Sequence, residues 1–380
     1  MLPTSRISHP ASLYGGRLTI DLEAIAENWT FLKNKLSPEV ECSAVVKADA
    51  YGTGQFRVAP ALFETGCRTF FVAVPTEAIE LRQILPEAVI YALDGLFPQT
   101  GALLLEHDIR PVLGSIEELL EWAGLCKSAG RSFDAAVHVD TGMHRLGLSP
   151  AEFSAILNDP SQLGPFRPSL LMSHLACGPT PENPMNRRQL QLFREITEPF
   201  AHIPRSLANS AGVLMGTDYH FDLVRPGIAL YGGVAIETEP NPMRPVAKVE
   251  ARIMLVRDVP EGDTIGYDAR FTAPKPLRNA IVAAGYADGL IRRAGSTDQR
   301  PGGFGMIGGH RVPILGRISM DMIALDVTDV PEDLLQRGAF VEMLGPAVAA
   351  ADLAAYADTI DYEYLTSFGR RFQRVYGPLT

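Results

Sequence analysis

The sequence predicts an α/β protein: a (β/α)8 TIM-type barrel followed by a mainly-β C-terminal domain. The first observation is a regular alternation of eight short apolar runs with helical stretches between residues 42 and 231. The second is a proline-dense stretch at 239–245, beyond which short segments are separated by Gly and Pro turns. Eight buried strands with connections of crossover length close most naturally into a barrel. An open doubly wound sheet is the less favoured alternative, because no strand is followed by a glycine-rich dinucleotide fingerprint.

The N-terminal part of the chain is predicted to hold an extension and one short strand. Residues 1–16 form the extension, which we expect to pack on the β domain, and residues 17–240 form the barrel domain. Residues 17–20 read as a strand, and Asp21 suits the N-cap of an amphipathic helix that ends near Leu36.

The barrel strands are defined by apolar runs, each bounded by a helical pattern. They are predicted at 43–47, 69–74, 89–93, 110–113, 135–140, 169–174, 205–208 and 222–225. The helical segments include 75–85, 115–129, 150–158 and 183–198. The short runs suit strands that are buried on both faces.

The C-terminal domain is predicted to span residues 241–380 and to be built from short strands. These strands are expected at 247–256, 279–284, 305–307, 312–315 and 323–327. A helical piece near 347–357 leads to a closing segment at 362–376. Short alternating segments between Gly and Pro turns are typical of an all-β domain.

Composition restricts the classes of partner. The 380 residues carry a net charge of −10, which argues against nucleic acid or an anionic membrane as the main partner. Residues 1–16 lack the apolar core of a signal peptide, and no run is long enough to span a membrane. The four cysteines show no CxxC pair, which is typical of reduced thiols, so we expect a cytoplasmic protein.

Polar groups of different kinds follow the predicted strands at the points where they end. Lys47 ends the first strand, Asp140 the fifth and His174 the sixth, and Arg225 ends the eighth. A lone lysine at a strand end is most often a side chain that reaches into water. In a barrel, however, the strand ends form the catalytic face, and a lysine whose pKa is lowered by burial forms Schiff bases.

The loops after the seventh and eighth strands are candidates for a phosphate site. Ser210 offers a hydroxyl group, and Gly212, Gly227 and Ile228 offer backbone N–H groups. Phosphate sites of such barrels commonly lie in these two loops. Each dipeptide alone is more typical of an ordinary turn, but the two together, after consecutive strands, favour a phosphate site.

Several short motifs, in order, resemble those of the alanine racemases, which are pyridoxal-phosphate enzymes. They are AVVKADAYG (44–52), VDTGMHRLG (139–147), MSHLA (172–176), LANSAG (207–212), VRPGIALYG (224–232), GYADG (285–289) and GRISMD (316–321). The segment 362–376 resembles the tyrosine-bearing C-terminus of that family. The resemblance therefore runs from about residue 18 to residue 376.

The resemblance implies a pyridoxal 5′-phosphate site on the barrel, with the cofactor joined to Lys47. It assigns the phosphate to Tyr51, Ser210, Gly227, Ile228 and Tyr376, with Asn209 beside them. Arg145 would bond the phenolic oxygen of the cofactor and help to position the substrate carboxylate. His174 would stack near the pyridine ring, and Arg225 would face the ring nitrogen. No metal is implied.

The resemblance also implies the reaction, which is the interconversion of L-alanine and D-alanine. Two bases are needed because the proton leaves one face of Cα and returns to the other. Lys47 would serve one face and Tyr286 the other. Tyr286, with Met320 and Asp321 as substrate-binding residues, would reach the barrel of a second subunit in a head-to-tail homodimer.

Three alternatives remain open at this stage. A broader-specificity amino-acid racemase of the same fold would act on serine or larger substrates. A decarboxylase on a similar barrel is less favoured, because the racemase motifs of the second domain are present. A non-catalytic pyridoxal-phosphate carrier would match the first half of the chain only.

The chain departs from the family pattern at three positions. His138 stands where the family often has a lysine, carbamylated in some members, so another group or a bound anion has to position Arg145. Thr53 replaces a histidine in AYGHG, and we expect only a local effect on the phosphate loop. Ser319 stands where many members have cysteine, which is a mild change.

Overall fold

The structure, a computed structural model, describes residues 10–379. The chain divides into two compact units. The barrel unit comprises Ile25–Arg244, and the β unit joins residues 10–24 with residues 245–379. Most of the predicted N-terminal extension, residues 1–9, lies outside the described residues.

The strands and helices of the described residues are numbered in chain order. The strands are β1 (Gly16–Ile20), β2 (Glu41–Cys42), β3 (Ala44–Val45), β4 (Thr69–Val72), β5 (Val89–Ala92), β6 (Arg110–Leu113), β7 (Ala136–His138), β8 (Leu170–Met172), β9 (Arg205–Ser206), β10 (Leu223–Val224), β11 (Ala247–Val259), β12 (Thr264–Ile265), β13 (Phe271–Thr272), β14 (Leu277–Val282), β15 (Phe304–Ile307), β16 (His310–Leu315), β17 (Ile323–Asp326), β18 (Phe340–Leu344) and β19 (Gln373–Tyr376). The helices are α1 (Leu22–Lys33), α2 (Lys47–Tyr51), α3 (Gln55–Thr65), α4 (Pro75–Ile84), α5 (Gly101–Glu106), α6 (Ile116–Ala129), α7 (Pro150–Asn158), α8 (Pro184–Thr197), α9 (Ser210–Met215), α10 (Ala350–Ala357) and α11 (Asp361–Thr366). Short 3-10 turns, such as Ile228–Tyr231 and Tyr286–Asp288, lie between them.

The parallel strands of the barrel unit form a closed ring. Strands β3 to β9 pair in sequence order, and β10 pairs with β2, which continues into β3. Backbone hydrogen bonds close the ring on both sides of β10: Arg225 N donates to Ala208 O (2.9 Å) and Val45 N donates to Pro226 O (2.9 Å). This confirms the predicted eightfold barrel, and the closure decides against the open doubly wound sheet.

Burial explains why these short segments are strands. Every residue of β4 and of β7 is buried, as expected for parallel strands that are covered on both faces. Outside the strands, α6 packs its Leu119, Trp122 and Cys126 side chains into the core. Its start is fixed by a capping box between Ser115 and Glu118.

The β unit is a second sheet that includes the first strand of the chain. Its order is β14-β17-β16-β15-β18-β11-β1-β19, and the 13-residue β11 pairs with β18, β1 and also β14. Strand β1 pairs antiparallel with β11 and parallel with β19. The assignment of residues 17–20 to the barrel domain was therefore wrong. The unit boundary falls between Arg244 and Pro245, whereas the sequence suggested 240/241.

Two further features concern the cysteines and the helices. Cys42, Cys67 and Cys126 are buried free thiols, and Cys177 is a partly buried one. Between residues 10 and 379, no helix combines the length and the apolar character that crossing a membrane requires.

Candidate active site

Lys47 lies two residues after the end of β3, the first barrel strand, and its side chain is partly buried. Burial is the largest influence on its pKa, which it lowers, and the positive charge of Arg145 acts in the same direction. Asp94 and Glu77 oppose them with smaller effects. A lowered pKa makes the neutral, nucleophilic form of the amine more accessible near neutral pH.

A left-handed turn follows Lys47. Ala48, Asp49, Ala50 and Tyr51 have φ angles of 54°, 55°, 54° and 52°, although none of them is glycine. Such a conformation costs roughly 1–2 kcal/mol per residue, so surrounding contacts must hold it. Within the turn, Ala50 N donates to Val46 O (3.0 Å) and Gly52 N donates to Ala48 O (2.8 Å). The turn carries the Tyr51 ring back against the end of the eighth strand.

Four residues that were predicted to bind phosphate lie close together at this point of the barrel unit. They are Tyr51, Ser210, Gly227 and Ile228. The hydroxyl oxygen of the buried Ser210 accepts hydrogen bonds from the N–H groups of Gly227 (2.9 Å) and Ala229 (3.2 Å). Ile228 begins the 3-10 turn that supplies the second donor. A Cβ atom added to Gly227 would lie 2.4 Å from the Tyr51 hydroxyl oxygen, so only glycine permits this approach.

Tyr231 and Asn209 support this cluster. The Tyr231 ring stacks on Tyr51 at 4.6 Å, and its hydroxyl donates to Val45 O (2.9 Å). Asn209 caps α9, because its side-chain oxygen accepts from Gly212 N (3.1 Å). Asn209 therefore fixes the turn that presents Ser210, and Tyr231 is a residue that the sequence analysis missed.

Arg225 crosses the interior of the rim from the end of the eighth strand. Its guanidinium donates to Ser173 O (2.5 Å) and to the Ser206 hydroxyl, and it lies 5.9 Å from the centre of the Phe71 ring. Burial lowers the pKa of Arg225 to about 9, so the group remains protonated at neutral pH.

His138 and His174 are held neutral beside this cation. Burial lowers the pKa of His138 to about 4, and the charges of Arg225 and Arg145 add to the effect. Loss of hydration, followed by the same two arginines, lowers the pKa of His174 well below its usual value. Neither ring therefore supplies a positive charge at this rim near neutral pH.

Arg145 is exposed on a loop that is organised by Asp140. The Asp140 carboxylate accepts from the N–H groups of Gly142 (2.8 Å), Met143 (3.0 Å) and His144 (3.1 Å). Burial raises the pKa of Asp140, but these donors and His144 outweigh it and hold the pKa below its usual value. Asp140 is thus the anionic group that shapes the loop that carries Arg145.

Gln189 is a second residue that the sequence analysis missed. It is fully buried, and its side-chain amide donates to His174 O (2.8 Å) and to the Thr141 hydroxyl (3.1 Å). Its oxygen accepts from Ala176 N (2.8 Å). Gln189 therefore ties together the loops after the fifth and sixth strands. The available signal was a polar residue on the buried face of α8, four residues before Phe193.

In the β unit, the GYADG and GRISMD motifs lie side by side. Tyr286 N donates to Ser319 O (3.0 Å), and Ala287 N donates to Met320 O (3.1 Å). A Cβ atom on Gly285 would lie 2.3 Å from Met320 O, so the contact requires glycine. These bonds use the main chain of Ser319, which agrees with the mild effect expected of serine there.

An arginine that the sequence analysis missed joins the two motifs. Arg371 lies 3.0 Å from the Asp288 carboxylate and donates to Asp321 at 2.6 Å. Asp288 also accepts from Gly285 N (2.8 Å), and burial raises its pKa. Tyr376 lies elsewhere in this sheet, at the end of β19 in register with Ile20, and its phosphate contact stays a prediction.

Two family models match the chain over most of its length. The alanine racemase N-terminal domain matches residues 20–235, and the alanine racemase C-terminal domain matches residues 246–376. The chain belongs to the alanine racemase family. This confirms the family resemblance. It also decides against a barrel-only carrier, because the alanine racemase C-terminal domain is present.

Known alanine racemases are similar over their full lengths. One from Rhizobium meliloti is 47% identical over 366 residues, which cover 95% of this chain and 96% of that protein. Among solved structures, alanine racemase from Bartonella henselae with covalently bound pyridoxal phosphate has a TM-score of 0.89 and 38% identity, covering 95% of this chain and 99% of that one. The biosynthetic alanine racemase of Pseudomonas aeruginosa has a TM-score of 0.86 and 32% identity, covering 96% of this chain and 100% of that one.

Proposed function

We propose that this alanine racemase interconverts L-alanine and D-alanine with pyridoxal 5′-phosphate, using Lys47 and Tyr286 as bases on opposite faces of Cα. The observation that carries the proposal is the juxtaposition, within one barrel rim, of a lysine whose pKa is lowered and a cradle of donors around Ser210. A cytoplasmic location is part of the proposal, and the buried free thiols support it.

The barrel rim fits a phosphorylated pyridine aldehyde. The hydroxyls of Tyr51 and Ser210 and the N–H groups of Gly227 and Ile228 would hold the phosphate, in a space that a Cβ on Gly227 would fill. The Lys47 amine would hold the aldehyde carbon. When bound, the cofactor withdraws electrons from Cα of an attached amino acid and so acidifies its proton.

The residues around the cofactor ring would set how strongly it withdraws electrons. Arg225 would face the ring nitrogen, and a protonated guanidinium cannot give that nitrogen a proton under ordinary conditions. Neutral His174 would stack near the ring, and Arg145 would bond the phenolic oxygen and help to position the substrate carboxylate. By leaving the ring nitrogen without a proton, Arg225 would limit electron withdrawal and with it misdirected protonation, which suits a racemase.

The proton transfers would be divided between two side chains. Lys47 Nζ accepts or returns the Cα proton on one face, and the Tyr286 hydroxyl does so on the other. Positive charge nearby favours the ionised tyrosine side chain, which is the form that accepts a proton. Arg145 and Arg225 would supply this charge, and Met320 and Asp321 would approach the substrate from the side of Tyr286.

The homodimer is proposed from the surface of the β unit. Several large apolar side chains of the β unit are exposed to solvent. The exposed fractions are 41% for Tyr286, 52% for Met320 and 43% for Met322, and those of Met254 and Leu255 are similar. Met254, Leu255 and Met322 line an open cavity of about 660 Å³. A cluster of exposed apolar side chains favours burial against a second copy, and Tyr286 would then enter the barrel of that copy.

Chiral product analysis tests the proposed activity. Purified protein saturated with pyridoxal phosphate is incubated separately with L-alanine, L-serine and L-lysine. We expect D-alanine as the fastest-formed product. Faster conversion of serine or lysine would favour the broader racemase, and absence of any D-amino acid would refute the proposal.

The pH profile of cofactor attachment should reflect the environment of Lys47. Only the neutral amine attacks an aldehyde, so attachment accelerates as pH rises through the pKa of Lys47. Because that pKa is lowered from 10.5, the rise should occur at lower pH than for Nα-acetyl-lysine. The rate at which the bound-cofactor absorption band appears in the apoprotein measures this. If the pH profiles of the apoprotein and of Nα-acetyl-lysine coincided, the expectation would be contradicted.

Replacing Gly227 by alanine should weaken cofactor binding. The added methyl group would collide with the Tyr51 hydroxyl and displace one phosphate donor. A hydrogen bond to a charged group stabilises by about 1.5–3 kcal/mol, so we expect Kd to rise by about 10- to 100-fold in a titration of the apoprotein. Gly124→Ala is the control, since nothing lies within 4 Å of its added Cβ. Equal cofactor affinities of the two variants would refute the assignment of the phosphate to the donors around Ser210 and Gly227.

A further inference from the structure

Glu77 bridges the ends of two neighbouring barrel strands. One carboxylate oxygen, Oε2, accepts from the N–H groups of Ala73 (2.8 Å) and Val74 (3.4 Å), which follow β4. The other oxygen, Oε1, accepts from Ala48 N–H at 2.7 Å. Ala48 is the residue directly after Lys47 and the first of the left-handed turn.

A second set of contacts clamps the same turn. Gln55 is buried, and its side-chain amide donates to the Glu77 carbonyl oxygen (3.1 Å). The Gln55 N–H donates to the Asp49 carboxylate (2.8 Å). The first residue of the turn is thus held directly by Glu77, and the second, Asp49, is linked to Glu77 through Gln55. Because left-handed backbone is unfavourable for L-residues, loss of the bond at Ala48 allows the chain after Lys47 to relax toward other conformations.

We propose that Glu77 is a positioning residue of the racemase reaction: by holding the Ala48 amide, its carboxylate fixes the direction in which the Lys47 amine leaves the strand. This inference rests on the proposed function. Glu77 acts through the backbone of Ala48 and need not contact cofactor or substrate. Misplacement of a reacting group by about 1 Å can lower a rate by about 100-fold, so a contact at the adjacent residue can control turnover.

Glu118 provides a matched bridge elsewhere in the same barrel. Its Oε1 accepts from Leu96 N (2.8 Å), after the neighbouring strand, and its Oε2 accepts from Gly114 N (2.7 Å) and Ser115 N (3.1 Å). The geometry therefore repeats that of Glu77, but the bridged loop carries no reactive lysine. Glu118→Gln measures what the loss of such a bridge costs the fold alone.

The test compares Glu77→Gln with Glu118→Gln in the full-length protein supplied with pyridoxal phosphate. Glutamine keeps the shape of the side chain, but one carboxylate oxygen becomes an NH2 group. That group cannot accept a hydrogen bond from a backbone N–H, so one side of the bridge is lost. For Glu77→Gln we expect kcat to fall by about 10- to 100-fold with KM changed less than kcat. We also expect a smaller fraction of the bound cofactor joined to Lys47, measured by borohydride reduction and peptide mass spectrometry. The unfolding midpoints of the two variants should fall by similar amounts.

The outcomes separate the inference from the proposed function. If Glu77→Gln matches Glu118→Gln in kcat and in the fraction of modified Lys47, the inference is overturned. If the wild-type protein forms no D-alanine or binds no cofactor at Lys47, the proposed function fails instead. Should Glu77→Gln not fold, Glu77→Asp takes its place. Aspartate keeps the negative charge, but its shorter side chain does not reach the Ala48 N–H. The same two measurements, kcat and the fraction of modified Lys47, then test the inference.

Discussion

Replacing Lys47 by alanine should abolish covalent attachment of pyridoxal phosphate and lower racemisation by at least about 1,000-fold. The residue has two proposed tasks, holding the cofactor aldehyde and transferring a proton at one face of Cα. Loss of a positioned general base alone lowers rates by about 100- to 10,000-fold. The absorption band of the lysine-bound cofactor and chiral analysis of alanine products measure the two tasks separately.

The control for this substitution is Lys35→Ala, which removes an exposed lysine that lies over the Phe31 ring on the barrel unit. It should keep both the band and the activity. The hydrogen bonds that hold the turn after Lys47 come from backbone groups and from the Glu77 carboxylate, so removing the Lys47 side chain leaves them in place. An intact fold is therefore expected for Lys47→Ala. Persistence of the band or of racemisation in that variant would refute the assignment.

The barrel was predictable because its pattern is local. Each strand is a short apolar run between helical segments, and the rule that reactive groups lie at strand ends brings Lys47, His174 and Arg225 to one rim. The strand at 17–20 was misassigned because its sequence, RLTI, suits either sheet. Its partner, β11, lies more than 220 residues away in the chain, so no local pattern could decide.

The parts of the candidate site that the sequence did not reveal depend on contacts between distant segments. Nothing in KADAY predicts four left-handed residues, since L-residues intrinsically favour the right-handed form. The turn is formed because Glu77 and the stacking of Tyr51 on Tyr231 hold it. Gln189 likewise resembles any polar residue of an amphipathic helix until the loops that it joins are known.

The departure at His138 shows the same limit. The sequence identified a missing anion near Arg145 but could not say how the loop that carries Arg145 is held. The structure shows that Asp140, the last residue of the predicted fifth strand, gathers three backbone N–H groups of the loop. This carboxylate therefore shapes the loop from within, and His138 O holds the far end of the loop by accepting from Leu148 N (2.9 Å).

Replacing Tyr286 by phenylalanine should suppress racemisation by about 100- to 10,000-fold while leaving the cofactor joined to Lys47. The substitution removes only the hydroxyl group, and the loop is held by backbone bonds to Ser319 and Met320. Lys47 then remains to act on one face. In D2O, one enantiomer of alanine should therefore exchange its Cα hydrogen with retention of configuration, which NMR and chiral analysis detect together. Tyr356→Phe is the control, because that hydroxyl accepts a hydrogen bond from Arg311 at the surface.

Mixing the two inactive variants, Lys47→Ala and Tyr286→Phe, extends this prediction to the dimer. If each site takes Lys47 from one chain and Tyr286 from the other, every mixed dimer holds one site with both bases and one site with neither. Random exchange of subunits makes half of the dimers mixed, so activity should return to about one quarter of the wild-type value. If both bases came from the same chain, every site would lack one of them and no activity would return. Unchanged racemisation in Tyr286→Phe alone would show that another group serves the second face.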